Sequence, residues 1–363
     1  MEKTDIEVLH ELVAPAKKAL RPETWDYLMG AGETETTFDR NRLGIDSLAF
    51  RPRVLRDVSK VSLRTKFLGH DMRLPVILAP IGSLQDLHKD GVLGPSRAAK
   101  NFGVIHMLSS VAKPGLEEVA KLVPDYPKFF QLYVRGDADW VDARIKTAVD
   151  CGYAGVALTV DLDYYGRRER DIAKRYKPTA RQASGGSNAN GDPFQAAFSW
   201  ADIKRIRQKC KLPLFLKGIA TAEDAMIAIE HGVEVIYVSN HGGRQLDHGL
   251  GGIEVLPEIV DAVRGRAKVV VDGGFMRGGD IVKAMALGAD AVGLGRLQGL
   301  ALAAGGEATL VRMLELLETE MTSVLGLLGV TSFAELDRRY VTKATPILRP
   351  GPFPAFPLLK EGY

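Results

Sequence analysis

Eight short apolar runs separated by amphipathic helical stretches predict that this 363-residue chain folds as an α/β domain, a (β/α)8 TIM barrel. The runs are almost continuously apolar, as strands buried on both faces of a helix-covered parallel sheet must be. Polar residues collect where the runs end, which is where a barrel mounts its chemistry. An open doubly wound sheet is the alternative. No Gly-x-Gly-x-x-Gly follows the first run, which argues against its dinucleotide-binding form.

Residues 1–75 precede the barrel and read as an N-terminal helical cap, with helical patterns around Ile6–Leu20 and Glu23–Ala31. The strands are expected at Val76–Gly82, Val104–Ser110, Lys128–Val134, Gly155–Asp161, Pro213–Ile219, Val235–His241, Lys268–Gly274 and Ala291–Arg296. Between them, Thr221 caps a helix whose first acids, Glu223 and Asp224, suit its dipole, and Gly232 stops it. Gly278-Gly279-Asp280 opens the next helix and Gly288 ends it.

The connection after strand four, residues 162–199, is unusually long, and its stretch Arg181–Pro193 is rich in Gly, Ser and Asn. A long loop on the catalytic face reads as a mobile lid. The tail Thr345–Tyr363 carries five prolines and is expected as an extended arm across a subunit boundary.

Composition narrows the function. The net charge is +3 with both signs interspersed, so no electrostatic case for nucleic acid exists. Cys151 and Cys210 lack metal-ligand spacing, and no metal site is expected. The N-terminus lacks an apolar signal core and no run is long enough to span a bilayer. These features lead us to expect a cytoplasmic protein without a membrane partner.

The most informative stretch is Ser239-Asn240-His241-Gly242-Gly243-Arg244-Gln245-Leu246-Asp247. It places a base, His241, three residues from a fixed cation, Arg244, at the end of an apolar strand. An imidazole beside a guanidinium suits taking a proton from a substrate whose carboxylate the guanidinium grips. Gly-rich loops after the last two strands, Gly273-Gly274 with Arg277 and Gly295-Arg296, have the form of a barrel phosphate site. Seven polar strand ends in one chain imply one large polar ligand that satisfies them together.

With these residues the chain resembles, over nearly its full length, the FMN-dependent α-hydroxy-acid oxidases and dehydrogenases. That family includes glycolate oxidase, lactate oxidase, mandelate dehydrogenase and the flavin domain of flavocytochrome b2. The matching motifs are Gln131-Leu132-Tyr133, Leu158-Thr159-Val160-Asp161, Gly166-Arg167-Arg168-Glu169, Leu216-Lys217-Gly218, the Ser239–Asp247 run, Asp272-Gly273-Gly274 and Gly295-Arg296.

The resemblance implies FMN as cofactor and a 2-hydroxy acid as substrate. It makes His241 the base and Asp161 the group that orients it. Arg244 and Tyr27 would bind the substrate carboxylate, Arg168 would add positive charge, and Tyr133 would bond the substrate oxygen. Lys217 would sit by flavin N1 and the C2 carbonyl. Ser109, Gln131, Thr159 and Ser239 would bond the isoalloxazine, with Pro80, Ile81 and Gly82 near N5. Asp272 would hold the ribityl hydroxyls, and Gly274, Gly295 and Arg296 the phosphate.

Three positions depart from the family pattern. Phe275 and Met276 push Arg277 one place later than usual, so Arg296 is the firmer phosphate contact. Gly82 stands where an Ala is common, and Val111 where small-substrate oxidases carry Trp. Both changes enlarge the pocket and point to a bulkier, aromatic or branched acid.

The expected reaction is oxidation of an (S)-2-hydroxy acid to the 2-oxo acid. Reoxidation by O2 to give peroxide is favoured over a quinone or protein acceptor. A non-redox FMN barrel such as a type 2 isopentenyl diphosphate isomerase fits less well, because it would not need the His241 and Arg244 pair. A homotetramer or homo-octamer is implied by the resemblance alone.

Overall fold

The computed structural model describes residues 5–182 and 191–347 together with Ala355, Phe356 and Leu359. Residues 183–190, the richest part of the expected lid, and most of the proline-rich tail lie outside the described residues.

Eight parallel strands close into a barrel. They are β1 (Val76–Leu78), β2 (Ile105–Ser109), β3 (Lys128–Leu132), β4 (Gly155–Thr159), β5 (Leu214–Ile219), β6 (Val235–Val238), β7 (Lys268–Val271) and β8 (Ala291–Leu294). Each pairs with its sequence neighbour, and Leu294 of β8 registers with Leu78 of β1 to complete the cylinder. The open-sheet alternative is thereby excluded. Most observed strands stop before the predicted ends because their last polar residues leave the ladder to form the catalytic loops.

Side chains alternate between two apolar layers. Inside the cylinder, Ile77, Ile105, Met107, Phe129, Ala157, Phe215 and Val270 pack together. Phe129 and Phe215 pack with centroids 4.8 Å apart and ring planes tilted by 53°, and both are wholly buried. Truncating either to Ala would cost about 3–5 kcal/mol. The outer face of the sheet packs against the helices in a second, larger core.

The N-terminal segment does more than cap one end. The hairpin Thr65–Phe67 with His70–Met72 sends Phe67 and Met72 into the interior cluster, where Phe67 meets Phe129 and Phe215, so it plugs the N-terminal mouth. At the opposite mouth lie the helices Pro22–Met29 and Thr36–Asp46. The first was predicted; the second carries no apolar periodicity and escapes sequence analysis.

The last strand feeds a 33-residue helical stretch, Arg296–Leu328, broken at Gly305 and Gly306, where φ is −175° and +70°. It packs on helices Leu93–Phe102 and Val13–Ala19. Its N-terminal residues belong to the active-site mouth. Of the described tail residues, Phe356 is buried edge-on against His10, with ring centroids 5.5 Å apart.

Candidate active site

The loop after β6 is shaped by its backbone. His241, Gly242 and Gly243 have φ of +56°, +64° and +79°, a left-handed run that turns the chain sharply and projects the imidazole. Gly243 is required twice over, since a Cβ there would lie 2.5 Å from the Phe38 amide nitrogen. Helix Thr36–Asp46 thus sits directly on the loop. Its Asn41 and Asn240 donate to one another's side-chain oxygens at 3.0 Å. Asp247 accepts from the Thr34 hydroxyl and from the Thr37 amide at 2.6 and 2.8 Å.

The imidazole is held on both sides. Its Nδ1 lies 2.9 Å from each oxygen of Asp161, and its Nε2 lies 3.0 Å from the Tyr133 hydroxyl. A proton on Nδ1, as this bonding assigns it, leaves Nε2 as the acceptor. Burial lowers the imidazole below its ordinary value, Asp161 opposes this, and Lys217 reinforces it. Burial alone would raise Asp161, but the charge and hydrogen bond of His241 bring its carboxyl below the usual range. The pair therefore rests as carboxylate and neutral base.

Two guanidinium groups flank it. Arg244 donates to the carbonyls of Tyr27 and Gly30 at 2.6 and 3.0 Å, and its guanidinium lies 4.8 Å from the Tyr27 ring centroid. Burial and the neighbouring Arg168 pull it down to about 10, which keeps it charged at neutral pH. Arg168 donates to Gln245 Oε1 at 3.1 Å and to the Arg244 carbonyl at 3.4 Å. The Tyr27 hydroxyl donates to the Gly82 carbonyl at 3.2 Å.

His241, Tyr133, Arg168, Arg244 and Tyr27 line one cavity of about 1320 Å³, including the open space at its mouth. Pro80, Ile81, Gly82, Lys217, Asp272, Gly274, Gly295 and Arg296 share its wall, as does Val111. One cavity thus gathers the predicted substrate-binding residues and many of the predicted cofactor-binding ones. From the 162–182 part of the long connection, Leu162, Tyr165, Asp171, Pro178 and Arg181 close one side.

The remaining predicted ring contacts, Ser109, Gln131, Thr159 and Ser239, are not among the residues lining the cavity and form a network at the strand ends. Ser109 donates to Gln131 and Gln131 donates to Thr159, each at 2.9 Å, across the ends of β2, β3 and β4. Lys217 donates to Ser239 at 2.9 Å and lies 3.6 Å from Asp272. All of these groups are buried, and they bond one another.

Arg277 is a correction. Its guanidinium pairs with Glu320 at 2.6 Å and donates to the Ala355 carbonyl at 3.1 Å, away from the cavity. Phe275 and Met276 are the last residues of this loop to line the cavity. Asp280 then takes the amides of Met276 and Arg277 and turns the backbone into the next helix.

The site fits a flavin mononucleotide. Arg296 spends its terminal nitrogens on the carbonyls of Gly242 and Gly30, at 2.8 and 2.7 Å, while its buried Nε has no partner. Asp272 Oδ1 is likewise buried without one. A Cβ at Gly295 would meet nothing within 4 Å, so open space remains at the helix N-terminus where a phosphate would lie. Leaving such groups unsatisfied costs about 1–3 kcal/mol each, and a ribityl phosphate would satisfy them together.

Two further residues, with no role expected from the sequence, brace the site. Asn41 is one. Gln245, which bonds the carbonyls of Asp161 and Tyr164 at 3.1 and 2.8 Å, is another. Gln245 lies within the Ser239–Asp247 run, which was the available signal; Asn41 offered none.

The fold and the cavity define a flavin-dependent barrel oxidoreductase. The chain belongs to the FMN-dependent dehydrogenase family, which it matches over residues 16–343. FMN is its cofactor, and oxidation of a 2-hydroxy acid is its reaction. It is 39% identical over 343 residues to glycolate oxidase 3 of Arabidopsis thaliana, covering 90% of this chain and 93% of the relative. It is 36% identical over 354 residues to glycolate oxidase of Spinacia oleracea, with 93% and 96% covered. Among solved structures, a soluble mutant of the membrane-associated (S)-mandelate dehydrogenase from Pseudomonas putida superposes with TM-score 0.87 and 32% identity, over 94% of this chain and 100% of that one. A mandelate oxidase variant with 2-hydroxy-phenylacetamide gives 0.84 and 34%, over 94% and 99%.

Proposed function

We propose that the chain oxidises an (S)-2-hydroxy acid to the 2-oxo acid with His241 as the base. The observation that carries this reading is an imidazole with Nδ1 fixed to Asp161, in a cavity that Arg244 and Arg168 also line. Arg244 and Arg168 hold the substrate carboxylate, which orients C2 and its hydroxyl towards Nε2. Tyr27 completes that clamp. As the proton reaches Nε2, the Asp161 carboxylate stabilises the imidazolium that forms. The Tyr133 hydroxyl, already at that nitrogen, bonds the substrate oxygen as its charge changes. Lys217, Asp272, Gly274, Gly295 and Arg296 would hold FMN, which when bound would supply the acceptor for the two electrons. Lys217 contributes fixed positive charge beside it.

O2 is the terminal acceptor in this reading and leaves as hydrogen peroxide, in line with relatives named oxidases. A quinone or protein acceptor is the second reading, favoured by the membrane-associated dehydrogenase among the structural neighbours. Gly82 and Val111 on the wall, together with mandelate-named neighbours, support a bulky or aromatic side chain on the acid. We also place the enzyme in the cytoplasm as a homotetramer, with the segment 162–199 as a lid.

Anaerobic mixing with a panel of 2-hydroxy acids tests the reaction. The wild type should bleach its flavin with at least one (S)-acid, and His241→Ala should bleach at least a thousandfold more slowly, about 4 kcal/mol of barrel-mounted base catalysis. A wild type that bleaches with no acid sinks the proposal.

A further inference from the structure

Tyr237 lies on β6 inside the cylinder and is wholly buried. Its neighbours in the interior layer are apolar, including Phe129, Phe215 and Val270. A phenol in such a place needs a partner for its hydroxyl. Two features show where the hydroxyl points. A Cβ on Gly293 of β8 would lie 2.0 Å from the Tyr237 oxygen and 3.1 Å from the Asp272 Cβ. The hydroxyl and Asp272 thus share the space that any larger residue at 293 would fill, and neither the hydroxyl nor Asp272 Oδ1, both buried, is hydrogen-bonded to any other group. Burial raises the phenol well above its ordinary value, and the Asp272 charge and carboxylate add to that.

Asp272 is also the neighbour of Lys217, whose Nζ lies 3.6 Å from its carboxylate and 5.3 Å from the Tyr237 ring centroid. Lys217 and Asp272 both line the cavity; Tyr237 sits behind them. We propose that Tyr237 is a positioning residue for the flavin site, its hydroxyl donating to Asp272 from inside the barrel. This sets how much of the Lys217 charge the flavin feels. The inference rests on the placement of Lys217 and Asp272 at the flavin. The phenol keeps its proton across the working pH range, so it serves as a fixed donor. Without it, Asp272 leans its full charge on Lys217 and loses the bond that aims it at the ribityl chain. Gly293 is the matching half of the arrangement, since only a residue without a side chain leaves room for the hydroxyl.

Tyr237→Phe keeps the ring and removes the donor. In the purified holoenzyme, flavin retention is read on dilution from the fluorescence of released FMN, and the reduction potential by anaerobic dye equilibration. The expected result is FMN held about tenfold more weakly, the size of one hydrogen bond to a charged group. The potential should move to more negative values, and the melting temperature of the holoenzyme should fall as a buried carboxylate loses its donor and FMN is held less tightly. Gly293→Ala, which pushes the hydroxyl off Asp272, should shift the potential in the same direction, and the double variant should lose no more than Tyr237→Phe alone. A purely packing role for Tyr237, whose ring Phe preserves, would hold or raise the melting temperature and leave the potential and FMN retention unmoved, which overturns the proposal. Asp272→Asn separates the two levels. If it releases FMN while Tyr237→Phe does not, the Tyr237 role falls alone; if neither does, the placement of Asp272 at the flavin falls with it.

Discussion

Asn41 and Asn240 lie 199 positions apart and trade amide hydrogen bonds of 3.0 Å, which joins a helix of the N-terminal segment to the loop that carries His241. Asn240 also accepts from the Gly243 amide at 3.1 Å, so the pair fixes the turn itself. Asn41→Ala would leave Asn240 half-satisfied. We expect a loss of about 1–3 kcal/mol in stability, read by thermal melting. Anaerobic flavin reduction should slow as well, because an imidazole displaced by a fraction of an ångström misses its proton.

The pH dependence of flavin reduction follows from His241. The base works only when neutral, and burial holds it below 6.5. The rate should therefore rise with pH along a single acid limb centred below 6.5 and then level off. Asp161→Asn removes the group that raises the imidazole, so its limb should move to still lower pH. Its plateau should fall by about 3–4 orders of magnitude, the loss expected when an orienting carboxylate is replaced by an amide. Stopped-flow reduction across pH 5–9 measures both; an acid limb centred above 6.5 would contradict the assignment.

His106 makes a separate prediction about stability. It is buried, bonded to Ser96 at 2.9 Å, and burial lowers it to about 3. The unfolded chain takes up this proton near 6.5 and the folded protein does not. The contribution is thus fully present above 6.5 and is lost as pH falls from 6.5 towards 3. The linkage amounts to roughly 4–5 kcal/mol over that window. His106→Phe should flatten the acid limb of a denaturant-midpoint profile, whatever it does to stability at neutral pH.

The two arginines near the phosphate site should separate cleanly. Arg296→Ala removes the buried Nε and should release FMN on dilution. Arg277→Ala breaks the Glu320 pair and the Ala355 bond on the far side, so FMN should be retained while the melting temperature drops slightly. Reversed outcomes would restore Arg277 to the pocket.

Pocket width can be tested by filling it. Val111→Trp and Gly82→Ala each narrow the wall. Together they should shift preference, measured as the kcat/KM ratio, from aryl and branched acids towards short ones by about 10–100-fold. An unchanged ratio would mean that the 162–182 segment, not these positions, sets the width.

The barrel was legible because each strand is an unbroken apolar run with a polar end, and the His241 loop was legible because its nine residues are chemically specific. Helix Thr36–Asp46 was not. Its sequence, TTFDRNRLGID, is polar on most faces because it packs through hydrogen bonds and ion pairs, such as Arg42 with Asp280 at 2.7 Å, and not through an apolar stripe. The displacement of Arg277 was visible as an insertion, but its direction depended on Asp280 and Glu320, partners that spacing does not reveal. Tyr237 read as one more apolar strand residue because its hydroxyl matters only beside a glycine 56 positions later.

The union of β8 with β1 has a bearing on how the protein is made. Leu78 waits for Leu294, so a nascent chain on the ribosome cannot seal its cylinder until more than two hundred further residues have emerged. Arg296 follows that last staple by two positions. Flavin capture therefore waits on that closure, and products stopped before residue 296 should be colourless.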